Sequence, residues 1–141
     1  MRAFIDSNIF IASAISDSEI RRLLNRILRT HKVVISEEVI AEVSRKLTGK
    51  FKQDKSKVQK WEAYVRGMAV VLPRQAQAPK ISRDPKDDWV LTAAVEGDCD
   101  CILSGDEDLV VLRRHRGIPI LRPRDFLAFE DQRRYSRRKR R

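Results

Sequence analysis

Acidic residues grouped at two places in the chain have the side-chain types most suited to chemistry. Asp84, Asp87 and Asp88 open the stretch DPKDDWVLTAAVEGDCDCILSGDED, and Asp106 and Asp108 close it. The first group alone could simply cap a helix, because acids at a helix start favour the macrodipole. The second group follows a short apolar segment that reads as a buried strand. In open parallel α/β sheets, ligand crevices form beyond the carboxyl ends of such strands.

The front of the chain has the same pattern, because the apolar segment RAFI ends at Asp6. Asp6 and Asp106 therefore occupy equivalent places, just past the ends of the first and fourth predicted strands. If these strands are neighbours where the strand order switches, both acids share one crevice. Asp87 at a helix start and Glu42 on another helix could complete the cluster. Four carboxylates at one edge of a sheet indicate a divalent-metal site.

The remaining elements follow from hydrophobic periodicity. Apolar segments without polar alternation, typical of a sheet covered on both faces, predict five strands at 3–5, 33–35, 69–72, 101–103 and 118–121. Between them, helical spacing predicts helices near 9–14, 20–28, 37–47, 53–68, 89–96 and 109–115, a loop at 73–83, and a last helical turn at 123–127. This alternation predicts a three-layer α/β/α fold with a five-stranded parallel sheet.

Glu42 falls between Val39 and Val43 on the apolar side of its helix, rather than opposite it. A carboxylate there is costly unless something positive lies nearby. We interpret Glu42 as part of the acidic site, with an ordinary surface position as the alternative.

Composition limits the class of protein. A chain of 141 residues with 42% hydrophobic residues is sufficient for one domain with one core. No apolar run approaches the roughly 20 residues of a membrane helix, and Asp6 and Asn8 interrupt the only apolar stretch near the start. Cys99 and Cys101 lack a second pair or a histidine cluster, so we expect free thiols in a reducing cytoplasm.

Positive charge is concentrated at the end of the chain. The formal net charge is +10, and seven of these charges lie in RRYSRRKRR at residues 133–141. We predict a domain over residues 1–130 and a disordered basic tail over 131–141 that attracts phosphate without reading sequence. A solubility tail is the alternative. The expected RNA-binding groups are Arg133, Arg134, Arg137, Arg138, Lys139, Arg140 and Arg141.

At this point four segments together resemble the PIN-domain ribonucleases, especially the VapC-like toxins of toxin–antitoxin pairs. They are FIDSNIF, SEEVIAEV, DPKDDWVLTAAVEGDCDCILSGDEDL and GIPILRPRDFL, spread over nearly all of residues 1–130. The resemblance implies a sheet of five parallel strands and a ribonuclease site that holds Mg²⁺ or Mn²⁺. It also implies an antitoxin partner and a homodimer.

By position, the resemblance implies a set of four catalytic acids: Asp6, Glu42, Asp87 and Asp106. Asp108 would be a further metal ligand, and Asp84 and Asp88 are the alternatives to the third acid. Asn8 and Ser104 would support the site. The family more often has Thr at the position of Ser104, a change that keeps the hydroxyl. The basic tail lies outside the family pattern.

Other α/β phosphoryl-transfer proteins fit less well. A haloacid-dehalogenase-type enzyme requires a second Asp two residues after the first, where this chain has Asn8. A receiver domain expects a carboxylate after its third strand, which here ends at Pro73. The remaining alternative is a non-catalytic RNA-binding or scaffold protein that keeps the PIN-like fold.

Overall fold

A central sheet organises the chain, of which a computed structural model describes residues 1–76 and 84–140. Six strands make up the described sheet: β1 (Arg2–Ile5), β2 (Lys32–Ser36), β3 (Val70–Leu72), β4 (Cys101–Leu103), β5 (Arg114–His115) and β6 (Ile118–Leu121). Their order is β3-β2-β1-β4-β6-β5. The first five in that order pair in parallel and β5 pairs antiparallel to β6. The predicted parallel strands are thus confirmed, with one short strand added.

Helices connect these strands. Seven α-helices occur in the described residues: α1 (Ser7–Ile15), α2 (Ser18–Thr30), α3 (Glu37–Thr48), α4 (Lys55–Met68), α5 (Pro85–Glu96), α6 (Glu107–Val110) and α7 (Phe126–Arg140). A 3₁₀ turn at Pro123–Asp125 precedes α7. Most α-helices begin at a side-chain cap, and Asp6 itself caps α1.

The sheet is covered on both faces. Ala3, Phe4 and Ile5 are all fully buried, and successive residues of a strand point to opposite faces. Both faces of β1 therefore lie under helices, as in the predicted three-layer fold. Phe4 is opposite Val34 on one side and Ile102 on the other. Burial of each such side chain contributes roughly 1.5–3 kcal/mol to stability, which fixes the register of the strands that carry the acids.

The prediction of a helix over residues 109–115 is wrong. Helix α6 ends at Val110, and the chain then forms a hairpin in which His115 pairs with Ile118. Its two-residue turn has positive φ at Arg116 (49°) and Gly117 (78°), the conformation that matches the twist of a tight hairpin. Gly117 is thus a residue of the hairpin turn and not the end of a helix.

The expected disorder of the basic tail is also not what the structure has. Helix α7 runs without interruption from Phe126 to Arg140, across the predicted boundary at residue 131. Phe126 is fully buried, and its ring meets His31 edge to face at 5.9 Å. Arg141 lies outside the described residues, as does the 77–83 part of the predicted loop.

Two smaller expectations concern the cysteines and membranes. Cys99 and Cys101 are free and buried, as predicted, and burial raises the pKa of each thiol to about 12. None of the helices within the described residues has the length and apolar character needed to cross a membrane.

Candidate active site

Asp6 lies at the carboxyl end of β1 with its side chain 1% exposed. Its Oδ1 accepts a hydrogen bond from the Ser7 amide at 2.8 Å. Burial raises the pKa of Asp6, and this effect is opposed by the hydrogen bonds from Ser104 and Ser7 and by the charge of Lys86. The ionised carboxylate is therefore costly where it lies, and additional positive charge nearby would stabilise it.

A polar network connects Asp6 to the end of β4. The Ser104 hydroxyl donates to Asp6 Oδ2 at 2.8 Å, and Asn8 Nδ2 donates to the same oxygen at 3.2 Å. Asn8 Oδ1 accepts from the Gly105 amide at 2.9 Å, while the Asp106 amide donates to Ser104 Oγ at 3.0 Å. The two strand ends expected to meet do meet, and the side chains of Asn8 and Ser104 join them.

Asp106 follows this network and caps α6. Its Oδ1 accepts a hydrogen bond from the Asp108 amide at 3.0 Å, so the backbone of Asp108, rather than its carboxylate, contacts Asp106. Asp108 is exposed whereas Asp106 is half-buried. The structure thus gives Asp106 a fixed place at the crevice, and the ligand role of Asp108 stays a prediction.

Asp87 comes to the same edge from the first turn of α5 and is 2% exposed. Burial and then the negative charges of Asp106, Asp84 and Asp6, partly opposed by the charge of Lys86, raise its pKa to about 6. The charges of both strand-end acids therefore act on Asp87, and its role as the third acid stays a prediction.

The other two alternatives have different environments. Asp84 is the exposed cap of α5, and its carboxylate accepts from the Lys86 amide at 3.0 Å. Asp88 is 5% exposed on the same turn.

Glu42 is held by lysines at the border of the site. Its Oε1 lies 2.6 Å from Lys86 Nζ and 3.0 Å from Lys46 Nζ, and its side chain is 12% exposed. Burial would raise the pKa of Glu42, but the two lysines outweigh it and hold the pKa below its ordinary value. The positive partner required for a half-buried carboxylate on α3 is therefore present.

Lys86 is the functional candidate that sequence reasoning missed. Its ammonium group pairs with Glu42, and the charges of Glu42, Asp6 and Asp106 raise its pKa against the effect of burial. The sequence did contain an indication of this role, because Lys86 lies between Asp84 and Asp87 in the acidic motif. A cation inside an acid cluster is a natural counter-ion.

The fit of a metal ion can be judged from these donors. Within residues 1–76 and 84–140, no group of three or more His, Cys, Asp or Glu side chains lies ready to hold a metal. Mg²⁺, however, commonly uses one or two carboxylates and keeps several waters. A carboxylate oxygen has two lone pairs, and the Ser7 amide uses one of those on Asp6 Oδ1. The oxygen chemistry of Asp6, Asp87 and Asp106 therefore fits a hydrated hard cation.

A family model described as PIN domain matches residues 2–108 of the chain. The chain belongs to the PIN domain family. The matched range includes Asp6, Glu42, Asp87 and Asp106.

Solved structures show that the fold of this PIN domain is shared. VapBC2 from Rickettsia felis, bound to a promoter DNA fragment, matches with a TM-score of 0.63 and 12% identity over 86% of this chain and 98% of the other. VapBC-1 from nontypeable Haemophilus influenzae matches with a TM-score of 0.60 and 15% identity, over 88% of this chain and 99% of the other. Mycobacterium tuberculosis VapC20, a Sarcin-Ricin loop cleaving toxin, matches with a TM-score of 0.58 and 12% identity, over 83% of this chain and 98% of the other. A comparison with curated proteins gives no match.

Proposed function

We propose that this PIN domain is a metal-dependent endoribonuclease. The observation that supports the proposal is the electrostatic interaction of three carboxylates that separate elements bring to one edge of the sheet. Asp6 ends β1, Asp106 follows β4 and Asp87 begins α5, and the charges of the first two contribute to the raised pKa of Asp87. Natural sequences retain such costly clusters at functional sites, where a ligand offsets the repulsion.

The chain's own residues would divide the work of phosphodiester hydrolysis. Bound at Asp6, Asp87 and Asp106, Mg²⁺ or Mn²⁺ would supply Lewis-acid polarisation and a more acidic water. Ser104 and Asn8 fix the orientation of the Asp6 carboxylate through their hydrogen bonds to Oδ2. In the metal-free protein burial and neighbouring carboxylates raise the pKa of Asp87 to about 6, so a bound cation would stabilise the ionised form of this carboxylate.

Three further residues extend this proposal. Lys86 is positioned to hold a phosphate oxygen beside the acids, because its ammonium group already lies among them. Glu42 orients Lys86 through their ion pair. Asp108 would contribute to the cation's water shell from the start of α6.

We also propose that the nuclease is the toxin of a toxin–antitoxin pair. Support comes from the fold shared with VapBC complexes and with VapC20, a toxin that cleaves the Sarcin-Ricin loop. The proposal includes an antitoxin partner and a homodimer. Growth arrest on expression, relieved by the product of an adjacent reading frame, would support the pair. Sedimentation at several protein concentrations tests the dimer.

A non-catalytic RNA-binding protein on the same fold is the second candidate. It is favoured by the lack of a ready three-ligand group within the described residues. The Lys86–Glu42 pair also favours it, because a side-chain cation already neutralises part of the site. The two functions differ in one outcome, which is cleavage of RNA on addition of Mg²⁺ or Mn²⁺.

The test compares RNA cleavage by the wild type, Asp6→Asn and Asp106→Asn, with Mg²⁺ or Mn²⁺ and with chelator. We expect cleavage only by the wild type and only with metal. Asp131→Asn, the same chemical change at an exposed position on α7, serves as the matched control and should cleave normally. Full activity in either site variant, after contaminating nuclease is excluded, would remove the assignment. Metal-induced stabilisation of the wild type without cleavage would favour the non-catalytic alternative.

A further inference from the structure

The basic end of the chain forms a positive surface at the opposite end of the sheet from the acids. Arg133 Nη2 lies 3.0 Å from Asp100 Oδ1, and Asp100 Oδ2 accepts from the Arg2 amide at the start of β1. Asp6 lies at the other end of that strand. The ordered helix α7 therefore brings its last two turns to the amino edge of the sheet, away from the candidate active site.

A buried network holds α7 in this position. Glu130 is 3% exposed, and its two oxygens lie 2.5 Å from Arg26 Nη2 and 2.5 Å from His31 Nε2. Burial would raise the pKa of Glu130, and the hydrogen bonds from Arg26 and His31 hold the pKa below its ordinary value. Buried Phe126 lies one turn earlier. The helix is thus anchored to α2 and to His31, which caps the end of α2, before its basic segment begins.

The segment beyond this anchor is exposed and carries no acid. Arg137, Arg138 and Lys139 are all exposed, and no Asp or Glu follows Asp131 in the sequence. Tyr135 is 66% exposed, and Lys139 Nζ lies 5.8 Å from the centre of its ring. An exposed aromatic ring among cations suits a nucleic acid, whose bases stack and whose phosphates pair with positive charge.

Neighbouring elements extend the positive charge around α7. Arg114 and Arg116 of the β5–β6 hairpin line a groove of about 440 Å³ together with Arg133. The groove also contains Asp98 and Asp100, of which Asp100 is paired with Arg133.

On the other side, two exposed residues flank His31, which contacts the Glu130 anchor. They are Arg29 at the end of α2 and Lys32 at the start of β2. Positive groups from α2, β2, the hairpin and α7 thus share the amino edge.

We infer that this amino-edge surface, centred on Arg137, Arg138 and Lys139, is a second phosphate-binding site for RNA that is cut at the carboxyl edge. This inference rests on the proposed ribonuclease function and adds a substrate class to it. From Arg2 to Asp6 the strand spans about 13 Å, and α7 continues about 6 Å beyond Arg133 to Arg137. The preferred substrate is therefore a long or folded RNA that covers roughly 20 Å of protein surface.

Binding of a 30-nucleotide RNA in chelator, where cleavage is blocked, tests the surface without relying on catalysis. The variant replaces Arg137, Arg138 and Lys139 by Gln. If all three neutralise phosphates, the slope of log affinity against log salt should become shallower by about 2. The matched control replaces three exposed lysines of α4 by Gln, namely Lys55, Lys57 and Lys60. Its salt slope should stay at the wild-type value. An unchanged slope in the α7 variant, or an equal change in the control, would overturn the inference.

Cleavage then tests the span between the two sites. A tetranucleotide cut at its central phosphate reaches only about 7 Å to either side when stacked, too short for the amino-edge surface. The α7 variant should cut this substrate at the wild-type rate and the 30-nucleotide RNA several-fold more slowly at low substrate concentration. An equal loss of cleavage rate on both substrates would refute the proposal that one RNA reaches from the active site to the amino-edge surface. If the wild type cuts neither RNA, the ribonuclease proposal fails while the salt slopes still decide whether the surface binds RNA. Capture of an acidic protein with an unchanged RNA slope would assign the surface to another partner.

Discussion

Asp87 makes the stability of this protein depend on pH in a direction opposite to that of an ordinary salt-bridged acid. Its pKa rises from 3.8 to about 6 on folding, so the folded state binds the proton more tightly than the unfolded state. Stability is then lost as pH rises between these two values. The full difference is about 3 kcal/mol, since each pH unit in that interval is worth about 1.4 kcal/mol.

Between pH 5 and pH 7 the contribution of Asp87 is smaller, because the proton is already partly released at pH 5. Linkage with the same two pKa values gives a loss of about 1.3 kcal/mol over this range, equivalent to about 4 °C in Tm for a chain of this size. Asp87→Asn cannot ionise and should lack this loss. Comparing the variant with the wild type cancels the contributions of titrating groups that do not interact with Asp87.

The assay is urea unfolding at pH 5 and pH 7 in chelator for the wild type, Asp87→Asn and the exposed control Asp131→Asn. We expect the wild type and the control to lose about 1.3 kcal/mol more than Asp87→Asn on going to pH 7. With Mg²⁺ at 100 times its Kd, the wild type should gain about 2.7 kcal/mol, and Asp87→Asn much less. If Asp87→Asn retains the wild-type pH dependence, Asp87 is not the strained carboxylate described here.

Further substitutions test the surroundings of the acids and the turn of the β5–β6 hairpin. Ser104→Ala removes a hydrogen bond to Asp6 and should lower RNA cleavage about tenfold, the equivalent of roughly 1.4 kcal/mol, whereas Ser104→Thr should cleave normally. Lys86→Met removes a positive charge that already neutralises part of the site, so the Mg²⁺ concentration at half-maximal thermal stabilisation should fall about threefold, as for a half-exposed ion pair worth roughly 0.6 kcal/mol. Gly117→Ala introduces a side chain at a φ of 78° and should cost about 1 kcal/mol of unfolding free energy.

The part of the fold that could be predicted is the part that local patterns determine. Uninterrupted apolar segments such as Val33–Ile35 indicate strands buried on both faces, and the structure has them at 0% exposure. The meeting of Asp6 with the end of β4 followed from the strand-order rule for open α/β sheets. The Asp6 amide hydrogen-bonds to the Leu103 carbonyl at 2.9 Å, which confirms that the strands are adjacent.

The errors occur where tertiary contacts outweigh composition. A run of Arg and Lys is typical of disorder, yet α7 is held by Phe126, Glu130 and Arg133, which recur at helical spacing and contact the body of the domain. That spacing was the available signal. The sequence signal for the β5–β6 hairpin was weaker. An arginine at positive φ is uncommon, so Arg116 gives no local indication of a hairpin turn.

The pairing of Glu42 with Lys86 shows why sequence alone could not complete the site. The two residues are far apart in the sequence, and only the packed fold brings the ammonium group within 2.6 Å of the carboxylate. Lys86 reduces the repulsion felt by Asp87 but does not remove it, because the pKa of Asp87 still rises to about 6. The raised pKa values of Asp6 and Asp87 mean that the free protein is less stable with these two carboxylates ionised than with them protonated. A bound divalent cation would reverse that preference, so the same electrostatic cost that weakens the free fold would contribute directly to metal affinity.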